Sequence, residues 1–282
     1  SARIRSVMIS NGLVYSDKKT MEQHFTTGLD SLIISLKAGT PQSYKKLTRV
    51  DALNKVLQAM KNLTEFTGGV TITLTTDIVE EILPAISLIA DTGIRFVNLH
   101  LCSPMLVSGV PENHSMILPD KAAIAIVKAV ETLEKVGLSY NIQVSIPFCL
   151  FEPEFIYWLM QKNCITSGCI VTKKSGIIFG TKGEAGFCNH LMDYPFGKLA
   201  ENFSTGDELE SLYGNQSSFF EITNRAPTEK CLDCPMNLFC CGGCPLQWTQ
   251  FDPNTYISGG KKFADWDTKL KTIVTNSNFY QQ

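Results

Sequence analysis

Between residues 231 and 244 the chain reads CLDCPMNLFCCGGC, which is five cysteines in fourteen residues. The spacing is Cys231-x2-Cys234-x5-Cys240-x3-Cys244, with Cys241 as an extra thiol beside the third position. Packing does not ask for this density, because a core takes one small apolar thiol as readily as four. A thiolate that gains a metal is different. Sulfurs a few residues apart can converge on one small volume, and soft thiolates select zinc, copper(I) or iron–sulfur clusters. Gly242 and Gly243 add the positive-φ freedom that wrapping a metal centre requires. Disulfides and free thiols are the competing readings.

Compartment bears on that choice. All ten cysteines sit in a chain whose start, SARIRSVMIS, lacks the basic–apolar–small order of a secretory signal. A reducing compartment is therefore expected, with the cytoplasm as default, and its thiols serve metals or redox chemistry. No apolar run reaches membrane-spanning length, so no membrane partner is expected. A formal net charge of −2 excludes the basic field that would attract nucleic acid. With 282 residues, 44% of them hydrophobic and 18% charged, the chain has apolar mass for one large domain or two.

Residues 1–147 alternate strand and helix. Expected strands are Arg5 to Ser10, Ser31 to Leu36, Val70 to Leu74, Arg95 to Leu101 and Leu138 to Ile146. Helices are expected from Asp51 to Leu63, from about Val79 to Asp91 with Ile82, Leu83 and Ile86 inward, and from Pro119 to Val136, stopped by Gly137. Lys37 to Pro41 reads as a loop. Alternation at this spacing means parallel strands joined by crossover helices. After Pro147 the pattern breaks, and Gly, Asn and Cys become frequent. A boundary is placed near 147–150, with a small hairpin expected around Ser175 to Gly183. The segment after Thr249 reads as a surface tail.

A second cysteine pattern precedes the dense run. Cys169 is followed by thirteen residues, Gly183, four residues and Cys188. Together with Cys231, Cys234, Cys240 and Cys244, these positions resemble the SPASM domain. That is the auxiliary-cluster module of radical S-adenosylmethionine enzymes that modify peptides and proteins. The first half is similar to the later strands of the radical SAM partial barrel: Ser10-Asn11-Gly12 looks like its third-strand element, and Gly28 to Thr40 like its fourth. The resemblance implies an α/β fold. It would be a partial parallel βα barrel over 1–147, then a small cysteine-rich α+β iron–sulfur domain over 148–282. Two departures stand out. No CxxxCxxC motif, the family's site for the S-adenosylmethionine-reducing cluster, occurs in the chain, and no cysteine follows Cys244. A fragment or shortened relative is expected.

The resemblance also implies ligands. Cys231, Cys234 and Cys240 would hold one auxiliary 4Fe-4S cluster, and Cys169, Cys188 and Cys244 another. For the latter Cys164 is the favoured fourth ligand and Cys149 the second choice. The former is left an open site, or an oxygen such as that of Asp252. Asn11, Ser35 and Arg49 are the S-adenosyl-L-methionine-side candidates, against bland readings as a turn residue, a satisfied strand serine and a solvated charge. His100 reads as a hydrogen-bonded structural histidine before a lumen residue, and His190 and Cys102 as structural. No catalytic residue is assigned. The implied activity is an oxidoreductase of peptide or protein side chains, with a flavodoxin or ferredoxin as electron donor. Without CxxxCxxC, this chain alone is expected not to cleave S-adenosylmethionine. The alternative is a non-catalytic zinc- or cluster-binding peptide-interaction module.

Overall fold

The computed structural model describes residues 4–112, 115–223, 225–266 and 268. In chain order the first elements are β1 (Val7–Ser10), α1 (Lys18–Thr26), β2 (Ser31–Leu36), α2 (Pro41–Thr48), α3 (Leu53–Leu63) and β3 (Gly68–Leu74). Then come α4 (Ile82–Thr92), β4 (Phe96–Leu101), β5 (Met105–Val107), β6 (Val110–Glu112), α5 (Pro119–Val136), β7 (Ser139–Val144), α6 (Pro153–Gln161) and β8 (Ile165–Ser167). The remainder is β9 (Ile178–Phe179), β10 (Glu184–Gly186), β11 (Gly197–Lys198), α7 (Gly206–Gly214), α8 (Ser217–Thr223), α9 (Asn237–Cys240) and α10 (Pro253–Tyr256).

The chain folds into two compact units that interleave in sequence. The first takes the residues up to 102, then 117–143 and 164–166; the second takes 103–116, 144–163 and everything from 167. A single cut near 147–150 does not describe this. The chain leaves the first unit after β7, makes α6, and returns at Cys164 to add β8 to the sheet.

The first unit is built on a six-stranded sheet in the order β1-β2-β3-β4-β7-β8, with β1, β2, β3, β4 and β7 pairing in parallel. Side chains alternate between its faces. Leu32, Ile34 and Leu36, Val70 and Ile72, and Val97 and Leu99 are at most 1% exposed. Against β2 and β3 packs α3, whose Val56, Ala59, Met60 and Leu63 are fully buried. Each such Leu, Ile or Val contributes about 1.5–3 kcal/mol. One polar side chain joins this layer. Asn62 donates through Nδ2 to the Tyr15 and Ser16 carbonyls (2.9 and 3.1 Å) and accepts from Gln58.

Two helical details differ from expectation. Val79–Glu81 forms a 3₁₀ turn, and α4 starts only at Ile82, which leaves Pro84 in a first turn that needs no amide donor. Leu83 is 42% exposed, because rotation of 100° per residue carries it off the face shared by Ile82, Ala85, Ile86 and Ile89. Pro41 opens α2 instead of closing a loop, with Thr40 as a cap accepting from the Ser43 amide.

The second unit has little regular structure. A hairpin joins β5 to β6 through Ser108 and Gly109, both at positive φ as a two-residue hairpin turn requires. A small antiparallel sheet runs β11-β10-β9 over the expected hairpin region. Its core is aromatic. Phe187 stacks on Phe219 with ring centroids 3.9 Å apart, and Phe196, Tyr213 and Phe220 close around it. Cys169 and Cys188 pack against that cluster. Residues 269–282 of the expected tail lie outside the described residues.

Candidate metal centre

None of the ten cysteines forms a disulfide. In the second unit, residues from distant segments surround one small cavity, lined by Cys149, Cys231, Cys234 and Cys240. Met236, Phe148, Ile257 and Phe263 complete most of its wall. Local backbone geometry makes this convergence possible. Cys231 ends a 3₁₀ turn, Cys234 follows it, and the single-turn helix α9 brings Cys240 back. Two glycines then allow close approach. At Gly243, with φ +86°, a Cβ would lie 2.8 Å from the Ser145 carbonyl; at Gly260 it would lie 2.3 Å from Cys234 Sγ. Only glycine fits either place.

Burial pushes the Cys240 thiol up to about 12, although the Phe148 and Gly242 amides work to lower it. The Phe148 amide lies 3.3 Å from Cys240 Sγ. Burial also raises Cys234. Thiols this hard to ionise are inert on their own, and a bound metal takes the place of the proton.

Cys169, Cys188 and Cys244 form the other group, in the same unit. Burial pushes Cys244 up to about 11, and the neighbouring Cys169 adds to the rise. Burial raises Cys188 too, offset by the His190 amide 3.5 Å from its sulfur. Nearby, one turn past Cys244, Gln247 is 2% exposed, yet neither its Oε1 nor its Nε2 finds a partner among the described residues. A buried amide left so is the mark of a missing bound group or water.

Each of the remaining candidates has its own setting. Cys164 belongs to the first unit, hydrogen-bonded to the Tyr140 hydroxyl, which burial, Glu134 and Cys164 together hold in its protonated form. Cys241 takes the left-handed cap of α9 and does not line the cavity. Asp252 caps α10, accepting from Asn254, and is likewise absent from the cavity wall. The His190 ring is held neutral by burial. Among the described residues no three His, Cys, Asp or Glu side chains close on a single ion.

In the first unit, the sheet face opposite Leu32, Ile34 and Leu36 carries a polar row in register: Ser35, Thr71, Asn98 and Asn141. Ser35 is 8% exposed and Thr71 6%, and Thr71 Oγ1 has no partner among the described residues. Asn141 Nδ2 donates to Asn98 Oδ1 (3.2 Å), and Thr166 donates to Asn141. Asn98 Nδ2 then lies 2.6 Å from His100 Nε2. With its oxygen taken, Asn98 can only donate there, which fixes a neutral ring with its proton on Nδ1. Burial also lowers the His100 pKa. Asn11, just past β1, is exposed and accepts from the Leu13 amide, shaping the turn. Arg49 is exposed at the left-handed C-cap of α2. The turn that precedes α2 is tied down by Glu81, which accepts from Gly39, Thr40 and Ser43. Thr71, Asn98 and Asn141 had no signature as a motif; only strand register aligns them with Ser35.

No protein-family model matches the chain, and no curated protein does. Solved structures do match. Native anSMEcpe with bound AdoMet superposes with a TM-score of 0.63 at 14% identity, covering 97% of this chain and 76% of that one. Native anSMEcpe with bound AdoMet and Kp18Cys peptide gives 0.61 at 12% identity, over 98% and 77% of the two chains. Streptococcus suis SuiB bound to precursor peptide SuiA gives 0.64 at 16% identity, over 92% of this chain and 59% of that one. The chain thus spans less than two thirds of SuiB. At these identities the likeness is one of fold, which this chain shares with anSMEcpe and SuiB over nearly its whole length.

Proposed function

We propose that this chain is the cofactor-and-substrate portion of a radical S-adenosylmethionine oxidoreductase that modifies a peptide or protein side chain. Two auxiliary 4Fe-4S clusters would be held by its cysteines. The observation that carries the reading is the convergence of Cys149, Cys231, Cys234 and Cys240 on one cavity. Four sulfurs on one zinc at 2.3 Å stand roughly 3.8 Å apart, whereas in a cubane each thiolate caps its own iron and stands further off.

Cys169, Cys188 and Cys244 would hold the first cluster, with the Phe187 cage excluding water from it. Cys231, Cys234 and Cys240 would hold the second. The clusters, when bound, supply one-electron transfer or a Lewis-acidic iron. Ser35 and the orphaned Thr71 hydroxyl are the groups on the polar sheet face that would take S-adenosylmethionine or substrate, and Asn11 and Arg49 stay candidates for the same cofactor. Asn98 and neutral His100 would offer donors and an acceptor there without adding charge. A peptide substrate is supported by the bound peptides of anSMEcpe and SuiB. A flavodoxin or ferredoxin is the proposed electron donor, and the cytoplasm the proposed location. No helix of the described residues is long and apolar enough to cross a membrane.

Anaerobic preparation tests the reading. The chain is expected to be brown, with iron and acid-labile sulfide in equal amounts, and to form no 5′-deoxyadenosine from S-adenosylmethionine and reductant on its own. A colourless protein holding about one zinc per four thiolates would instead establish the interaction module.

A further inference from the structure

A cubane presents four irons, and the run Cys231-x2-Cys234-x5-Cys240 supplies three thiolates. Residues 245–282 contain no cysteine, and Cys244 does not line this cavity. We propose that Cys149, from the 3₁₀ turn at Phe148–Leu150, is the fourth ligand of the second cluster, closing a site whose other three ligands lie more than eighty residues away. The inference rests on the cluster reading above and adds to it a ligand from outside the dense run.

Geometry carries the assignment. Cys149 lines the same cavity as the other three thiols. The segment before it is fastened onto the cysteine run. The Cys244 amide donates to the Ser145 carbonyl at 2.8 Å, and the Phe148 amide points at Cys240 Sγ. Behind it, Ser258 Oγ reaches the Cys149 carbonyl at 3.5 Å. Each of these contacts positions the turn and leaves the Cys149 thiol free to face the cavity. The rivals for the fourth position are poorer: Cys241 lies off the wall, and Asp252 spends its carboxylate capping α10. A core-filling thiol would be fully buried among apolar side chains, whereas Cys149 is partly exposed.

Cys149→Ala and Cys149→Ser would be prepared anaerobically as full chains beside the parent and Cys241→Ala. Iron, sulfide and the electron paramagnetic resonance spectrum of the reduced protein would then be compared. The parent should carry about eight irons as two cubanes. Cys149→Ala should lose about one to four irons, with the change confined to one of two overlapping signals, while Cys241→Ala matches the parent. Cys149→Ser, whose oxygen can still ligate, should keep more iron than Cys149→Ala and show a shifted signal, which decides the matter if the alanine variant does not fold. Parent-like iron and spectra in both Cys149 variants would overturn the assignment. A parent without iron would instead overturn the cluster reading itself.

Discussion

The two units hold themselves together by different means. In the first, parallel strands alternate apolar and polar faces, and fully buried side chains such as Leu36, Met60 and Ile72 stabilise the sheet–helix layer without any bound group. In the second, short strands and single-turn helices leave thiols around a cavity, and an aromatic cage stands where extended apolar layers would otherwise be. The lesson is one of dependence. The sheet unit is packed by its own side chains, whereas the cysteine unit presents thiols that the proposed clusters would draw together.

Substitutions can break that contrast. The largest effect is expected at Cys231→Ala or Cys240→Ala, which should remove the second cluster and about half of the bound iron, read by iron analysis of the folded chain. Next, Leu36→Ala or Ile72→Ala should destabilise the chain by about 2–5 kcal/mol in denaturant unfolding, with iron per folded chain unchanged. Loss of iron there would mean that the units are not separable in this way. Gly260→Ala drives a methyl toward Cys234 Sγ and should lower iron occupancy while the far-ultraviolet spectrum of the sheet persists. Asn62→Ala leaves the Tyr15 and Ser16 carbonyls buried without their donor and should cost about 1–3 kcal/mol, again without loss of iron.

The smallest effect is in pH. The folded chain holds the His100 pKa below its ordinary value near 6.5, so the unfolded chain binds the proton more readily. Its contribution to stability is therefore complete above about pH 6.5 and declines as pH falls below that value toward the depressed folded pKa. An imidazole titration by nuclear magnetic resonance should give a lowered midpoint. His100→Gln should flatten the acid limb of the stability profile.

Legibility divided along the same line as stability. β2 and α5 could be read from the sequence to the residue, because apolar runs, Pro119 and Gly137 leave no competing register. Leu83 misled because an apolar residue in a helix need not share the buried face. The return of the chain at Cys164 was not legible, since β8 has three residues and no periodicity of its own. That Cys231, Cys234 and Cys240 meet at one cavity was legible in their spacing. Cys149 was expected, as second choice, beside Cys169, Cys188 and Cys244, because only tertiary contacts at Ser145 and Phe148 bring it to the cavity of the other three.

The central claim is that two groups of thiols in the second unit hold iron. An anomalous difference map at the iron absorption edge, from crystals grown without oxygen, tests it most directly. The account predicts two strong iron peaks, one among Cys149, Cys231, Cys234 and Cys240 and one among Cys169, Cys188 and Cys244. A map with no iron at either group, or with a single zinc ion in its place, would contradict it.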